Sequence, residues 1–516
     1  MKGFKTMKIN KLSVLFLLPL LVSCGGGAAT GDIETYTPTL PEFVNKNQGA
    51  IKTDGTYDYL DIYEISDFHG AVQYNKSEKQ LGLARLGTYF DKKRENNPGG
   101  TVILSGGDMW QGSADSNLTR GNLVTYSMDV IGFDAMTMGN HEFDWTKKWI
   151  QNNKEKATFP LLGANIYDKS TKQIHELYKQ STILNRGDYK IGVIGTIADN
   201  VRNSILASAV ADVEFRNEVS IVTAEAARLK NEEKCDVILW SSHRDATELY
   251  NLVTTDLGID GIFGGHSHTT GDTFNEALDL AFLQSEPYGQ SIPHLQLKIN
   301  KSTKEVTTTI HEVDENPTAN EYAEDKDINS LIDQYSRDII GTVKSQKLGS
   351  ADGDLKIADT LSNFCVYSMK EEVLRDPELS SKYEIVASFH NRNGGVRKDI
   401  AAGNITYGQV YESFPFDNEI VILKITGRTL STMFFKFGGN WATWQKFGYD
   451  PVEQDKEYYV LCSDFMESNE AFFKGHGGEV INTGLVIREA VANQIRIMKN
   501  IETKNFKASK SEYQLP

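Results

Sequence analysis

The chain has 516 residues, of which 40% are hydrophobic and 24% charged, and its formal net charge at pH 7 is −16. This length is sufficient for a large core and for two or more domains. The acidic balance argues against a broad basic face for a nucleic-acid polymer, so any anionic ligand must meet a local concentration of positive charge.

The first element of the chain indicates export. Lysines at positions 2, 5, 8 and 11 precede the apolar run LSVLFLLPLLVSC. Such a run is typical of a secretory signal peptide and is short for a membrane-spanning helix, which needs about 20 residues. Because the run ends in small residues before Cys24, it resembles a bacterial lipoprotein signal. We therefore expect residues 1–23 to be removed and Cys24 to be lipidated, with an ordinary signal peptide as the alternative.

The next segment, residues 24–56, is rich in Gly, Thr, Asn and Pro and lacks hydrophobic periodicity. This composition predicts a flexible tether. No later segment is long and apolar enough to span a bilayer, so the anchor would be the lipid on Cys24. We expect an exported, membrane-anchored lipoprotein at the cell surface or on the periplasmic face.

A first domain is predicted over residues 57–318, where apolar strands alternate with amphipathic helices. The alternation favours an α/β sandwich with much parallel pairing. Helices are predicted at 81–96 and 219–234, and the strands are predicted at 59–67, 101–108, 135–141, 189–197, 235–243 and 259–268.

The pattern breaks at VDENPTAN, residues 313–320, and a long helical stretch follows at 327–346. We interpret residues 319–349 as a connecting helix and residues 350–516 as a second domain. Strands of that domain are predicted at 383–390, 419–427 and 457–465.

Polar side chains follow five of the six strands of the first domain. Parallel strands gather their carboxyl ends at one edge of a sheet, so these loops are expected to converge there. Cys235, Cys365 and Cys462 are too widely spaced for a disulfide framework or a thiolate metal site. The candidate metal ligands are therefore Asp67, His69, Asp108, Asn140, His243, His266 and His268.

This ligand chemistry suits Zn, Mn, Fe, Co or Mg. Seven ligands are too many for one closed tetrahedral site, and they fit two divalent ions about 3.5–4 Å apart. Each motif alone also occurs in ordinary turns, and the interpretation depends on their combination at strand ends. The histidines without such a context, assigned to surface or core positions, are His175, His294, His311, His390 and His476.

The motifs Asp-x-His-Gly, Gly-Gly-Asp, GNHEFD, His and GHSH, in that order, resemble those of the calcineurin-like metallophosphoesterases. More narrowly, the chain is similar to the 5′-nucleotidase/UDP-sugar hydrolase family, since NRNGGVR and FPFDN in the second domain match that family's segments. The resemblance implies a four-layer αββα sandwich followed by a smaller α+β substrate-specificity domain.

The resemblance also implies roles for individual residues. Asp67, His69, Asp108 and His268 would hold one ion, and Asp108, Asn140, His243 and His266 the other. His141 would lie over the scissile phosphate, oriented by Asp144, with Glu142 structural. The attacking group would be a hydroxide activated by the two ions.

The second domain would bind the nucleotide. The resemblance assigns Arg397, with Arg392 and Asn393, to the phosphate or nucleoside, and places the base between Phe416 and Phe465. Simple core packing is the alternative for each phenylalanine. The chain departs from the family pattern at two places. The segment after Phe465 is longer, so the resemblance does not assign the ribose contacts. The residues Arg244 and Asp245 are expected to add a charge pair near the second ion.

The favoured hypothesis is thus a lipid-anchored extracytoplasmic 5′-nucleotidase that releases nucleoside and phosphate. Its partners would be the nucleotide and, through Cys24, the membrane, without a nucleic-acid polymer or an obligate protein partner. The alternatives are a related hydrolase of UDP-sugars or 2′,3′-cyclic nucleotides and, in another class, a non-catalytic nucleotide-binding surface lipoprotein.

Overall fold

The computed structural model describes residues 33–206, 208–437, 442–447 and 451–507. The expected signal peptide, Cys24 and the first part of the expected tether lie outside the described residues. Among the helices that are described, none is both long enough and apolar enough to cross a membrane.

The first domain contains two six-stranded sheets and one short two-stranded sheet. Its strands are β1 Tyr57–Ile65, β2 Thr101–Ser105, β3 Ala135–Thr137, β4 Leu161–Leu162, β5 Ile166–Asp168, β6 Ser181–Arg186, β7 Tyr189–Ile197, β8 Val213–Phe215, β9 Val237–His243, β10 Gly261–Gly264, β11 Gly271–Asn275, β12 Leu280–Gln284, β13 Ile292–Asn300 and β14 Val306–Asp314. Its helices are α1 Gly82–Asn96, α2 Ala114–Leu118, α3 Asn122–Ile131, α4 Lys147–Lys156, α5 Glu218–Asn231 and α6 Ala246–Leu252.

Each large sheet has a parallel centre, and the first is antiparallel at one edge, whereas the second is antiparallel at both edges. The first has the order β14-β13-β1-β2-β3-β4, and its strands β1 to β4 are parallel to one another. The second has the order β11-β12-β10-β9-β7-β6, with β12, β10, β9 and β7 parallel. The predicted parallel pairing is therefore confirmed for the strands that end in polar loops.

The two sheets pack face to face with helices on both outer sides. The core between them contains Leu60 and Val102 of the first sheet and Val193 and Leu239 of the second, all buried. Helices α1 and α3 cover the outer face of the first sheet, and α5 and α6 cover that of the second. Burying each such side chain contributes about 1.5–3 kcal/mol. The resulting architecture is the αββα sandwich that the sequence predicts.

The connector between the domains is less regular than predicted. It consists of α7 Lys326–Tyr335, a π-helical turn Ser336–Ile340 and α8 Gly341–Lys344. Helix α7 packs its apolar residues Ile328, Leu331 and Tyr335 into the core of the first domain. The connector is therefore held by the first domain along most of its length.

The second domain is a smaller α+β unit with a five-stranded sheet, β19-β16-β20-β18-β21, and a three-stranded sheet, β17-β15-β22. Its strands are β15 Lys347–Ala351, β16 Ile385–Asn391, β17 Gly403–Thr406, β18 Glu419–Thr426, β19 Ala442–Lys446, β20 Glu457–Ser463, β21 Val480–Val486 and β22 Asn500–Ile501. Its helices are α9 Thr360–Arg375, α10 Pro377–Lys382, α11 Tyr407–Ser413, α12 Gly427–Lys436, α13 Asp464–Ser468 and α14 Ile487–Met498.

Part of the segment expected to be a tether contacts the first domain. The Tyr36 ring packs edge-on against Tyr335, and its hydroxyl donates to Asp338 at 2.8 Å. Lys46 forms an ion pair with Asp91 at 2.9 Å. The sequence does not predict these contacts, because each depends on one long side chain in a polar segment and not on a periodic apolar face.

Candidate active site

The polar loops of both large sheets meet at one edge of the sandwich. The loop after β1 is joined to the loop after β2, since Asp67 N donates to Gly107 O and His69 N donates to Asp108 O, both at 2.9 Å. The loop after β10 is joined to the loop after β1, since His266 N donates to Asp67 Oδ2 at 2.9 Å. Loops from distant parts of the chain therefore form one site, as the sequence predicts.

One group of candidate ligand atoms comes from Asp67, His69 and His268. The Nε2 atoms of His69 and His268 lie 3.0 Å apart, and Asp67 Oδ1 lies 3.5 Å from His268 Nε2. The potential ligand atoms of the three residues all lie within 4.8 Å of one another. This spacing allows one ion to contact all three.

A second group comes from Asp108, His243 and His266, whose potential ligand atoms also lie within 4.8 Å of one another. His243 Nε2 lies 3.2 Å from both Asp108 Oδ2 and Asn140 Oδ1. Asp108 also belongs to a cluster with His69 and His141. It therefore lies between the two groups, where a bridging carboxylate would lie.

The imidazoles are oriented by backbone carbonyls. His69 Nδ1 donates to Gln111 O at 2.8 Å, and His243 Nδ1 donates to Gly106 O at 2.7 Å. A hydrogen bond at Nδ1 fixes the tautomer and leaves the Nε2 lone pair directed at the cluster. These are the second contacts that metal-binding histidines normally make.

The electrostatics of the cluster fit a cation. Asp67 Oδ1 is buried and has no hydrogen-bond partner. Burial lowers the pKa of His266 to about 4 and holds the pKa of His69 well below its usual range, so both imidazoles are neutral. Although burial acts in the opposite direction, Asp108 raises the pKa of His243 to about 10. A divalent ion would replace that proton as the positive charge beside Asp108. The residues present therefore fit a divalent-metal centre.

Backbone strain is concentrated at the same residues. The φ angles of Asp67, His69, Asp108, His266 and His268 are 54°, 49°, 54°, 76° and 59°. A residue other than glycine in this left-handed region costs about 1–3 kcal/mol. Close packing adds a further constraint at Gly139, where a Cβ would lie 2.1 Å from Asp108 Oδ1.

Glu142 joins two of the ligand loops. Its carboxylate accepts hydrogen bonds from the backbone N–H groups of Asp108, Met109 and Gly139 at 2.8–2.9 Å. Glu142 therefore has a structural role: its hydrogen bonds position Asp108 and the turn before Asn140.

His141 lies between the cluster and the second domain. Its Nδ1 lies 2.8 Å from Asp144 Oδ2, and its backbone N–H donates to Asp108 Oδ1 at 2.8 Å. Although burial acts in the opposite direction, Asp144 and Asp108 raise the pKa of His141. A nearby carboxylate thus favours the charged imidazolium and fixes the direction of the ring.

A cavity of about 480 Å³ opens beside His141 at the junction of the two domains. Phe416 and Phe465 both line it, as do Asn393 and Arg397. The Arg397 guanidinium lies 5.3 Å from the centre of the Phe416 ring, and its Nη2 lies 3.3 Å from His141 Nε2. Cavity residues that sequence reasoning did not identify are Ser204, Leu206, Asn391, Asn418, Ala471 and Phe472.

Arg392 is the one predicted substrate residue that the structure places elsewhere. Its Nε donates to Thr443 Oγ1 at 3.2 Å, and it does not line the cavity, whereas its neighbours Asn391 and Asn393 do. Arg392 follows the last residue of β16, and Thr443 lies on the neighbouring strand β19, so the bond to Thr443 holds the Arg392 side chain against that strand.

The histidines predicted to have no role in the site lie outside it. His294 pairs with Asp61 at 2.8 Å and His311 with Asp272 at 2.8 Å. His390 is buried, and burial lowers its pKa to about 4. It packs on Phe414 as a neutral core residue.

A second cavity, of about 310 Å³, opens on the other side of the cluster. It shares Arg397 with the first cavity and is bordered by His69, Tyr288 and Lys344. Gln111 also lines it, with a side chain that is buried and whose amide N and O atoms have no hydrogen-bond partner. No motif in the sequence pointed to this cavity, because its walls come from short loops and from the connector.

The two domains are joined around the site by polar contacts. Arg120 of the first domain pairs with Asp417 of the second at 2.9 Å, and Asp417 also pairs with Arg488 at 2.5 Å. Asn117 Nδ2 donates to Pro415 O at 2.9 Å. These contacts position the segment that carries Phe416.

Comparison with known families identifies both domains. Residues 60–270 match the family model described as calcineurin-like phosphoesterase, and residues 340–448 match the model described as 5′-nucleotidase, C-terminal domain. The two matches have the order of the two domains: the first lies within the first domain, and the second begins in the connector and covers the first part of the second domain.

Individual relatives agree with this result. The chain is 27% identical over 431 residues to an apyrase of Tabanus yao, covering 77% of this chain and 76% of the apyrase. It is 26% identical over 517 residues to a 5′-nucleotidase of Bos taurus, covering 86% of this chain and 88% of the relative. The fold is similar to that of a 5′-nucleotidase precursor from Thermus thermophilus, with a TM-score of 0.72, 19% identity, and coverage of 87% of this chain and 98% of the other.

Proposed function

Since this chain belongs to the 5′-nucleotidase family of calcineurin-like phosphoesterases and is a metal-dependent phosphoester hydrolase, we propose that it hydrolyses nucleoside 5′-monophosphates to nucleoside and phosphate. We further propose that it works outside the cytoplasm, anchored by a lipid on Cys24. The alternative of a non-catalytic surface lipoprotein is not supported, because every candidate ligand and His141 is present and the ligand atoms converge.

The observation that carries the nucleotide assignment is the position of the larger cavity. It is lined by Asp108 and His141 and also by Phe416 and Phe465, and the Phe416 ring centre lies 5.6 Å from that of His141. A phosphate at the carboxylate–imidazole cluster could therefore carry a nucleoside whose base lies against aromatic rings. Stacking of a base on an aromatic side chain contributes about 1–3 kcal/mol.

Two divalent ions are proposed for the cluster, one held by Asp67, His69 and His268, the other by Asn140, His243 and His266, with Asp108 shared. When bound, they would supply Lewis acidity at the phosphoryl oxygens and a hydroxide-like nucleophile at neutral pH. The donor set does not select among Zn, Mn, Fe, Co and Mg.

The chain's own residues would bind and orient the phosphate. Arg397 can donate two parallel hydrogen bonds to phosphate oxygens. His141 Nε2–H can stabilise charge that develops on a phosphoryl oxygen or on the leaving oxygen, while Asp144 holds the ring charged and aligned. Preorganised donors of this kind act without reorganising during the reaction.

The proposed function is tested with a substrate panel. Metal-stripped protein, reloaded with one kind of ion at a time, should release phosphate from nucleoside 5′-monophosphates and lose this activity again on chelation. Release that is equally fast with a 3′-monophosphate or with a small aryl phosphate would contradict a nucleotide-specific cavity. Phosphate release that survives chelation would contradict the metal centre.

The second cavity favours nucleotide sugars as a second candidate substrate. Its amide, hydroxyl and carboxylate side chains suit a polyhydroxylated group, and the unpartnered amide of Gln111 would gain hydrogen bonds from one. Gln111→Leu should lower kcat/KM for a uridine diphosphate hexose about tenfold, the value of one or two such bonds. Turnover of a nucleoside monophosphate should not change, and the surface variant Gln151→Leu should affect neither substrate.

The proposed anchor is tested separately. Cells given a labelled fatty acid should incorporate it into the wild-type protein but not into Cys24→Ser, and detergent should be needed to extract only the wild type. A Cys24→Ser protein that stays in the membrane fraction would exclude lipid anchoring while leaving the hydrolase assignment intact.

A further inference from the structure

A polar network that is partly exposed to solvent holds the loop that carries His266 and His268. Ser267, between the two histidines, donates its hydroxyl hydrogen to Asp245 Oδ2 and accepts a hydrogen bond from Gln284 Nε2 at 2.8 Å. The hydroxyl of Thr269 donates to the same oxygen of Asp245 at 3.2 Å. The histidine loop is therefore bound to Asp245 at two points.

Asp245 is itself held in place by regular structure. Its other oxygen, Oδ1, caps helix α6 by accepting from the backbone N–H groups of Thr247 and Glu248 at 2.9 and 3.1 Å. Gln284, the last residue of β12, accepts from Ala246 N at 2.7 Å. The carboxylate that holds Ser267 is thus fixed by a helix and, through Gln284, by a strand.

Arg244 supports the same segment from the other side. Its guanidinium binds the carboxylates of Glu218 at 2.5 Å, of Glu248 at 2.9 Å and of Asp199, and its carbonyl accepts from Gly265 N at 2.8 Å. Arg244 and Asp245 therefore have separate partners. Each of them holds the histidine loop through its own contacts, in place of the charge pair that the sequence predicts.

The histidine loop needs such support. His266 and His268 have φ angles of 76° and 59°, and an L-residue in this region costs about 1–3 kcal/mol. Without external contacts the loop would relax toward ordinary backbone angles and move both imidazoles. Since His266 faces one group of candidate ligands and His268 the other, a movement of Ser267 would change the separation of the two groups.

We propose that Asp245, acting through Ser267, is a positioning residue that fixes the two ligand groups relative to each other. It has no contact with substrate in this role. The inference rests on the proposed function, because it takes His266 and His268 as metal ligands.

The test is the affinity of metal-stripped protein for Mn²⁺ or Zn²⁺, measured by competition with a chelating dye. Ser267→Ala removes one oxygen and leaves the cap of α6 intact. We expect it to weaken binding about tenfold, the lower end of the effect of losing an outer contact at a metal site. Asp245→Ala should have at least the same effect, and Ser267→Thr, which keeps the hydroxyl, should restore wild-type affinity. Activity lost in Ser267→Ala should return at saturating metal.

A matched control separates positioning from general instability. Asp376 caps α10 through the backbone N–H groups of Glu378 and Leu379 in the second domain. Asp376→Ala therefore removes an equivalent helix cap, and it should lower the Tm without changing metal affinity. Metal affinity that falls as far in Asp376→Ala as in Asp245→Ala would overturn the proposal.

Two other results would overturn it: wild-type affinity in Ser267→Ala, or affinity in Ser267→Thr as weak as in Ser267→Ala. His268→Ala distinguishes failure of this inference from failure of the proposed function. If His268→Ala binds metal weakly and Ser267→Ala binds it normally, only the positioning role is wrong. If His268→Ala also binds metal normally, the proposed ligand assignment is wrong as well.

Discussion

The two halves of the active site are built in different ways. The ligand loops of the first domain follow the ends of paired strands and are joined to one another by backbone hydrogen bonds such as Asp67 N to Gly107 O. Asp67, Asp108 and His243 are buried. The contribution of the second domain consists of side chains such as Arg397 and Phe416, which reach the site because the domains are docked. This difference shows that the two sheets of the first domain fix the positions of the candidate metal ligands. The contacts that select the substrate depend instead on the docking of the second domain against the first.

Among the substitutions that test this comparison, Asp108→Ala should have the largest effect on metal content and on phosphate release. Its carboxylate lies between the two ligand groups, so its loss should release metal from both and reduce phosphate release by about 10³-fold or more, beyond the 10²–10³ lost with one charge-stabilising donor. Metal content and turnover are measured together. Asp188→Asn, in the exposed turn between β6 and β7, is the control, and full metal content in Asp108→Ala would refute the shared carboxylate.

His141→Ala should have the second largest effect. It removes the group that joins the two halves, and the loss of a positioned acid typically reduces kcat by about 10²–10⁴-fold. Because His141 is not one of the proposed ligands, metal content should stay at the wild-type level. His311→Ala, a change at a histidine of the first domain paired with Asp272, should have no effect on either quantity. Loss of metal in His141→Ala would show that the residue belongs to the metal centre.

Phe416→Ala and Phe465→Ala should affect only the second half of the site. Loss of one stacking ring, worth about 1–3 kcal/mol, should raise KM for a nucleotide about tenfold and leave hydrolysis of a small aryl phosphate nearly unchanged. The control is Phe435→Ala, since that side chain is 91% exposed on α12. An equal loss with both substrates would mean that the rings only maintain the fold.

Arg120→Ala should have the smallest effect. The Arg120–Asp417 pair is partly exposed, with 28% and 34% of the two side chains accessible, and such pairs contribute about 0–1 kcal/mol. We expect KM for nucleotides to rise no more than about fivefold, and the difference from wild type to shrink in high salt because exposed charges are screened. Arg428→Ala, at another surface pair, is the control. A loss of metal in Arg120→Ala would contradict the separation between the two halves.

The sequence was most informative for the first half of the site. Asp67, Asp108 and His243 could be assigned together because each follows an apolar strand, and parallel strands must end at a common edge. This reasoning placed the candidate metal ligands at one edge of the sandwich from the sequence alone, without knowledge of any side-chain contact. It did not predict the strands β13 and β14, since an antiparallel pair adds no helix to the alternation of strands and helices.

The sequence was least informative where a side chain acts through tertiary contacts. Phe416 and Phe465 could be linked only through the family resemblance, because an isolated phenylalanine predicts core packing equally well. Arg392 follows β16 and bonds to Thr443 of the neighbouring strand β19, a tertiary contact that the motif does not predict. The orphaned amide of Gln111 and the bond from Ser267 to Asp245 join segments that are distant in sequence and carry no shared motif.

The strained backbone at Asp67, His69, Asp108, His266 and His268 limits how this site can change in evolution. Glycine is the residue that would relieve such angles without penalty, yet glycine has no donor atom for a cation. Replacement by glycine would therefore remove a ligand atom, and the remainder of the fold must continue to supply the energy that keeps the five residues in this conformation.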